Sequence, residues 1–219
     1  MKTPIIVAHR GLHQQHVENT LKALNAAWTS GINWCEIDVR GSAEHEPFLM
    51  HDEMLDRTTS GVGPIADTRA TVLKKLGVPS LEEAIKSMRG DAKLLVEIKP
   101  KVDLKVVDRT LALCDPARCI LQSFDVELLQ HAASKRQDLK LHLLVDDAKK
   151  LEGGPWDAIS AQFKTLDAAS VKKIRDLGFR VGAWTPNAPA DIEAVARLGV
   201  DIIVSDEPLI ARDIVRKIG

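Results

Sequence analysis

Residues 5–11, Ile5-Ile6-Val7-Ala8-His9-Arg10-Gly11, run four apolar residues straight into a histidine, an arginine and a glycine. The apolar part is short and rich in β-branched side chains, so it predicts a buried strand. Its tail brings a titratable imidazole, a fixed positive charge and a residue that bends freely. Such a strand carries chemistry at its C-terminal end, or else His9 caps it and Arg10 is merely solvated. For one strand alone the second explanation is the simpler. The rest of the chain repeats the arrangement.

After Gly11 the polar stretch 12–17 reads as a loop. Asn19 or Thr20 then caps a helix through Trp28, stopped at Ser30-Gly31. A second strand is expected at 34–39. Beyond it Gly41, Pro47, Gly61, Gly63, Pro64, Gly77 and Pro79 break the pattern. This stretch, about 41–79, reads as an insertion that carries function, with a short strand at 48–51 and a short helix at 69–76. Regularity returns at Ser80-Leu81-Glu82-Glu83, a capping-box spacing that opens a helix to about Met88. Further strands are expected at 94–98, 119–123, 141–145, 158–162, 180–184 and 201–205. Helices are expected at 104–113, from the Asp125 cap to about 135, at 148–151, 168–177 and 189–198, and after Pro208. Eight β-then-α units in 219 residues imply parallel strands with right-handed helical crossovers. The expected α/β architecture is a closed (β/α)8 TIM barrel with a small insertion after the second strand. A doubly wound open sheet is the alternative, but no GxGxxG turn follows the first strand. No linker shows, so residues 1–219 are expected to form one domain.

Lys and Arg number 30 against 31 Asp and Glu, and no long charge run stands out. That argues against a nucleic-acid partner or a polybasic membrane patch. Cys35, Cys114 and Cys119 are odd in number and form no CxxC pair, as expected of free thiols in a reducing compartment. No signal peptide or transmembrane run is visible, so a cytoplasmic location without a stable membrane anchor is expected. The sequence leaves monomer or homodimer open.

Polar residues fall where strands end: His9 and Arg10, Glu36 and Asp38, Glu97 and Lys99, Ser123, Trp184, Ser205 and Asp206. In a barrel these ends share the face where active sites of this fold sit. Solvation explains any one of them. It explains less well the carboxylates embedded in Cys35-Glu36-Ile37-Asp38-Val39 and Val96-Glu97-Ile98-Lys99. Glu36 and Asp38 are two apart and so face the same way, as do Glu97 and Lys99. Pointing inward, three carboxylates and an ammonium would meet in one volume, at a heavy cost in repulsion and desolvation. A divalent cation resolves this, and an all-oxygen set favours Mg²⁺ or Ca²⁺ over zinc. A salt-bridge network with Arg10, Lys99 and Arg40 resolves it too, and spacing alone does not choose. His51, in Met50-His51-Asp52, joins His9 as a candidate acid–base pair, with Asp52 placed to orient it. His13, His16, His45, His131 and His142 read as ordinary surface histidines. A cation, two histidines, Arg10 and Lys99 around one pocket suit an anionic phosphate ester. The chain has no P-loop, which argues against nucleotide-driven phosphoryl transfer.

His9-Arg10-Gly11, Glu18-Asn19-Thr20, Glu36-Ile37-Asp38-Val39, His51-Asp52, Leu55-Asp56-Arg57-Thr58-Thr59-Ser60-Gly61 and Glu97-Ile98-Lys99 occur in order. Ser123-Phe124-Asp125, Trp184-Thr185 and Ser205-Asp206-Glu207-Pro208 complete the series. Together they resemble the glycerophosphodiester phosphodiesterase family along essentially the whole chain. The resemblance implies metal-dependent hydrolysis of small glycerophosphodiesters to sn-glycerol 3-phosphate and an alcohol. By motif it implies His9 and His51 as the acid–base pair and Glu36, Asp38 and Glu97 as metal ligands. Arg10 and Lys99 would bind phosphate. Trp184 and Phe124 follow strand cores on the same face and are expected to give the glycerol carbons an apolar wall, with ordinary barrel-top packing as the alternative. Two departures stand out: Glu44-His45-Glu46-Pro47 replaces the usual Asp-Gly turn before His51, and Val17 replaces a proline before Glu18. Two other readings are a lysophospholipase D, which needs an apolar apron at the pocket, and a non-catalytic barrel, which needs no histidine pair.

Overall fold

The computed structural model describes residues 3–149, 151 and 153–218. The strands are β1 (Ile5–Ala8), β2 (Trp34–Gly41), β3 (Pro47–Leu49), β4 (Lys93–Ile98), β5 (Cys119–Ser123), β6 (Lys140–Val145), β7 (Ala158–Gln162), β8 (Arg180–Trp184) and β9 (Ile202–Ser205). All but β3 pair in parallel, in the order β1-β9-β8-β7-β6-β5-β4-β2, and a β1–β2 pairing closes the ring. The expected eight-stranded parallel barrel is therefore the fold, and the open sheet is excluded.

Period-two alternation decides what each strand presents to the lumen. Cys35, Ile37, Val39, Val96, Ile98, Leu121, Leu141, Leu143, Ile159, Val181 and Ala183 belong to the outer core, which also contains helix residues. Val7, Leu95, Ile120, Ile202 and Val204 form a separate inner cluster. Glu36, Asp38, Glu97 and Lys99 alternate with outer-core residues, so they face the lumen near its C-terminal mouth.

The crossover helices are α1 (Leu21–Thr29), α3 (Leu81–Ser87), α4 (Leu104–Leu113), α5 (Val126–Lys135), α6 (Ala168–Asp176), α7 (Pro189–Arg197) and α8 (Pro208–Ile218); α2 (Ala70–Lys75) lies in the insertion. Their starts follow the capping residues. The Thr20 hydroxyl accepts from Ala23 N, Asp125 accepts from Glu127 and Leu128 N, and Ser80 and Glu83 complete a reciprocal capping box. The β6–β7 connection differs from expectation. Ala148 and Lys149 form a turn there, and Lys150 lies outside the described residues. Gly153, Gly154 and Pro155 disfavour a helix, and buried Ala148 and Trp156 cover the barrel in its place.

In the insertion, β3 pairs antiparallel with the end of β2, Val39 opposite Leu49 and Gly41 opposite Pro47. The expected strand at 48–51 thus ends at Leu49, which leaves His51 in a bend over the barrel mouth. The turn that lacks Asp-Gly is closed by Ser42, whose hydroxyl accepts from Glu44 N and Glu46 N, both at 3.2 Å. Phe48, Met50, Leu55, Ile65, Leu73 and Val78 give the insertion a small core of its own.

Candidate active site

The C-terminal mouth of the barrel holds a cavity of about 200 Å³, lined by His9, Arg10, Glu36, His51, Glu97, Lys99, Gln122, Phe124, Leu144, Trp184, Thr185 and Val204. Of the nine candidate catalytic, metal and substrate residues, His9, Arg10, Glu36, Asp38, His51, Glu97, Lys99, Phe124 and Trp184, all but Asp38 line it. Asp38 is completely buried and pairs with Lys99 and Arg10 beside the cavity. All nine are thus brought to one site.

Ligand oxygens of Glu36, Asp38 and Glu97 lie within 4.8 Å of one another, and all three side chains are buried. Lys99 Nζ sits 2.6 Å from Asp38 Oδ1 and 2.6 Å from Glu97 Oε1. Arg10 Nε lies 3.1 Å from Asp38 Oδ2. Burial opposes the Asp38 charge, but Lys99 and Arg10 outweigh it and hold its carboxyl well below the usual range. Burial, then Asp38, pushes Glu97 up to about 7 despite Lys99. Burial, then Asp38 and Glu97, pushes Glu36 well above its ordinary value. Arg40, the third cation of the salt-bridge alternative, is engaged elsewhere: its Nε donates to His51 O at 2.8 Å and Nη1 lies 3.8 Å from Glu53.

Two cations thus face three carboxylates. Glu36 Oε2 accepts from Arg10 N at 3.1 Å, and Glu36 Oε1 is buried with no partner among the described residues. An orphaned carboxyl oxygen in an all-oxygen cluster, where burial opposes the charge of Glu36 and Glu97, is the environment a hard divalent cation satisfies. The residues present fit such an ion.

The histidines flank this cluster from two segments. His9 Nδ1 is hydrogen-bonded to Asp206 Oδ1 at 2.7 Å, which leaves Nε2 toward the site, 3.9 Å from Glu36. His51 Nδ1 is hydrogen-bonded to Asp52 Oδ1 at 2.7 Å. Burial lowers the His51 pKa, outweighing the pull of Asp38 and Asp52. In both histidines an aspartate fixes one ring nitrogen and frees the other. Phe124 and Trp184 meet edge to face at 5.5 Å and line the cavity with Leu144 and Val204.

Several contributors had no site role in the sequence reading; Asn19 was only a candidate helix cap, a place that Thr20 takes. Asn19, at φ 56°, grips Asp38: its Nδ2 donates to Oδ2 at 2.7 Å and its Oδ1 accepts from Asp38 N at 3.1 Å. Asn187 Nδ2 donates to Asp206 Oδ2 at 2.6 Å, behind His9. Arg57 bridges the insertion to the barrel loops. It donates to Asp52 at 2.6 Å and to Glu18 at 2.7 Å, and Glu18 accepts from Arg10 at 2.8 Å. The motifs containing Glu18, Asn19 and Arg57 were visible; Asn187 carried no signal. Two histidines correct the sequence reading. His13 is no free surface group but shares Asp206 with His9, at 3.0 Å. His142 is 1% exposed and faces the lumen.

A family profile described as "Glycerophosphoryl diester phosphodiesterase family" matches residues 9–210. A glycerophosphodiester phosphodiesterase of Caldanaerobacter subterraneus subsp. tengcongensis is 28% identical over 100% of both chains. An Oleispira antarctica phosphodiesterase, solved in complex with the product sn-glycerol-3-phosphate, is 26% identical with a TM-score of 0.86, covering 98% of this chain and 97% of that one. A glycerophosphodiester phosphodiesterase of Agrobacterium tumefaciens is 26% identical with a TM-score of 0.81, covering 95% and 99%.

Proposed function

This chain belongs to the glycerophosphoryl diester phosphodiesterase family, a family of phosphoric diester hydrolases, and from that premise we propose that it hydrolyses glycerophosphodiesters to sn-glycerol 3-phosphate and an alcohol at the cavity ringed by His9, His51 and the carboxylate cluster. The observation that carries the proposal is the pairing of two aspartate-oriented histidines with an acidic cluster whose Glu36 Oε1 lacks a partner among the described residues. A non-catalytic barrel needs no such pair.

Glu36, Asp38 and Glu97 would hold a divalent cation, Mg²⁺ or Ca²⁺. When bound, it supplies positive charge to a non-bridging phosphate oxygen. Arg10 and Lys99 place two further positive charges where negative charge grows on the phosphoryl oxygens. One histidine takes a proton from the attacking hydroxyl and the other gives a proton to the leaving alcohol oxygen. The burial-lowered pKa of His51 keeps its imidazole neutral at neutral pH, the state a base needs. Trp184 and Phe124 give the glycerol carbons an apolar wall.

No helix among the described residues is long and apolar enough to cross a membrane. Cys35, Cys114 and Cys119 are free and buried. A small glycerophosphodiester in a reducing cytoplasm is therefore the substrate setting we favour. The test is phosphomonoester release across a panel of glycerophosphodiesters and lysophospholipids. Turnover of the small diesters is expected. Turnover confined to the lysophospholipids would replace this reading with the lipid-acting one.

A further inference from the structure

Below the catalytic cavity the barrel lumen carries polar groups that the proposed reaction does not use. Strand register sets Asp38, Glu97, Gln122, His142, Ala158 and Arg180 side by side across β2, β4, β5, β6, β7 and β8. Because barrel strands tilt, this row runs down from the carboxylates at the C-terminal mouth to Arg180, the first residue of β8, at the opposite end. Gln122 and His142 face inward, since Leu121, Leu141 and Leu143 belong to the outer core. Ser160 faces inward against Gly182, where the serine leaves no room for a Cβ.

These groups are buried, and several of their polar atoms lack partners among the described residues. Gln122, His142 and Ser160 are 3%, 1% and 0% exposed. Gln122 Oε1, both ring nitrogens of His142 and Ser160 Oγ have no partner among the described residues. Burial, with Arg180 and Lys140 nearby, pushes the His142 imidazole down to about 3, so it is neutral. A neutral imidazole has one nitrogen that donates and one that accepts. Water can serve both nitrogens, and buried polar groups without protein partners are regularly satisfied by ordered water.

We propose that the barrel lumen binds ordered water on Gln122, His142 and Ser160, in a buried site that opens through Gln122 onto the floor of the catalytic cavity. Gln122 lines that cavity, and its register partner His142 lies next to it on β6, so Gln122 is where the water site would meet the cavity. Resting on the hydrolase reading above, the site has a use: hydrolysis consumes one water per turnover. A diester entering from the C-terminal face covers the open side of the cavity, and the lumen resupplies it from below.

A high-resolution crystal structure soaked with sn-glycerol 3-phosphate, together with kinetics of His142→Leu and His142→Gln, tests this. Waters hydrogen-bonded to His142 and Ser160 are expected with the cavity filled. His142→Leu, checked for native circular dichroism, is expected to lose them and to show a several-fold lower kcat at unchanged KM. His142→Gln keeps a donor and an acceptor and is expected to retain both water and rate. Ser160→Ala provides an independent variant should His142→Leu fail to fold. A dry lumen in the wild-type crystal overturns the water site. Wild-type kcat in a folded variant that has lost the water overturns the resupply role. Should the wild type hydrolyse no diester, the proposed function fails, while the density in the lumen still decides the water site.

Discussion

At the scale of residues, the site consists of side chains held by other side chains, and removal of the holders should be measurable. Asn19 fixes Asp38 through two hydrogen bonds. Partners of this kind, behind a ligand, typically change metal affinity or activity about 10–100-fold. Asn19→Ala should therefore raise the cation concentration needed for half-maximal activity by roughly that factor, read from a metal titration at saturating substrate. His9→Ala and His51→Ala should each lower kcat by about 10²–10⁴-fold. The double variant should lose far less than the product of the two, because the groups act in one transition state. Seven of the nine candidate residues were legible because each breaks a local rule, a charge or a histidine within or just after an apolar strand run; Trp184 and Phe124 were legible only from their place at strand ends. Asp206 was visible at a strand end, but its contact with His9 spans 197 residues and exists only once the barrel closes. His142 was misread because a histidine between leucines resembles a surface alternation; barrel strands bury both faces.

At the scale of elements, the turn after β1 places Arg10 and opens the path to α1. Gly11 takes φ 81°, and a Cβ there would lie 2.6 Å from the Ala23 backbone carbon. Gly11→Ala should cost about 1–3 kcal/mol, seen as a lower urea midpoint at unchanged m value. The same crowding would shift Arg10 and Glu18, so KM should rise as well. The elements were legible where caps and β-branched runs mark their ends. Helix α4 begins and ends where the pattern of 104–113 places it. The β6–β7 connection was not, because Ala148 and Trp156 pack without any helical period. The insertion's short strand was overextended by two residues: Met50 N still donates to Asp38 O of β2 at 3.0 Å, but the ladder ends at Leu49 and the chain bends at His51.

At the scale of the whole molecule, closure of the barrel puts a neutral histidine in its interior, and global stability should register it. The unfolded chain binds a proton on His142 near the ordinary value of 6.5, while the folded chain resists protonation down to about 3. Between those values protons favour the unfolded state. Stability is fully present above 6.5 and should fall as pH drops through this window. The loss should reach up to a few kcal/mol, because each tenfold difference in proton affinity between the two states is worth about 1.4 kcal/mol. His142→Leu should flatten that acid limb in urea melts across roughly pH 3–7. The carboxylate cluster in the mouth of the closed barrel is where the proposed metal-dependent hydrolysis stands or falls. Its most direct test is sn-glycerol 3-phosphate release from a glycerophosphodiester by protein stripped with chelator, then resupplied with Mg²⁺ or Ca²⁺, beside Glu97→Gln. Stripped protein should be inactive and the cation should restore it, with Glu97→Gln requiring more cation for less rate. Full turnover in metal-free protein, or a Glu97→Gln variant with wild-type rate and metal requirement, would contradict the account.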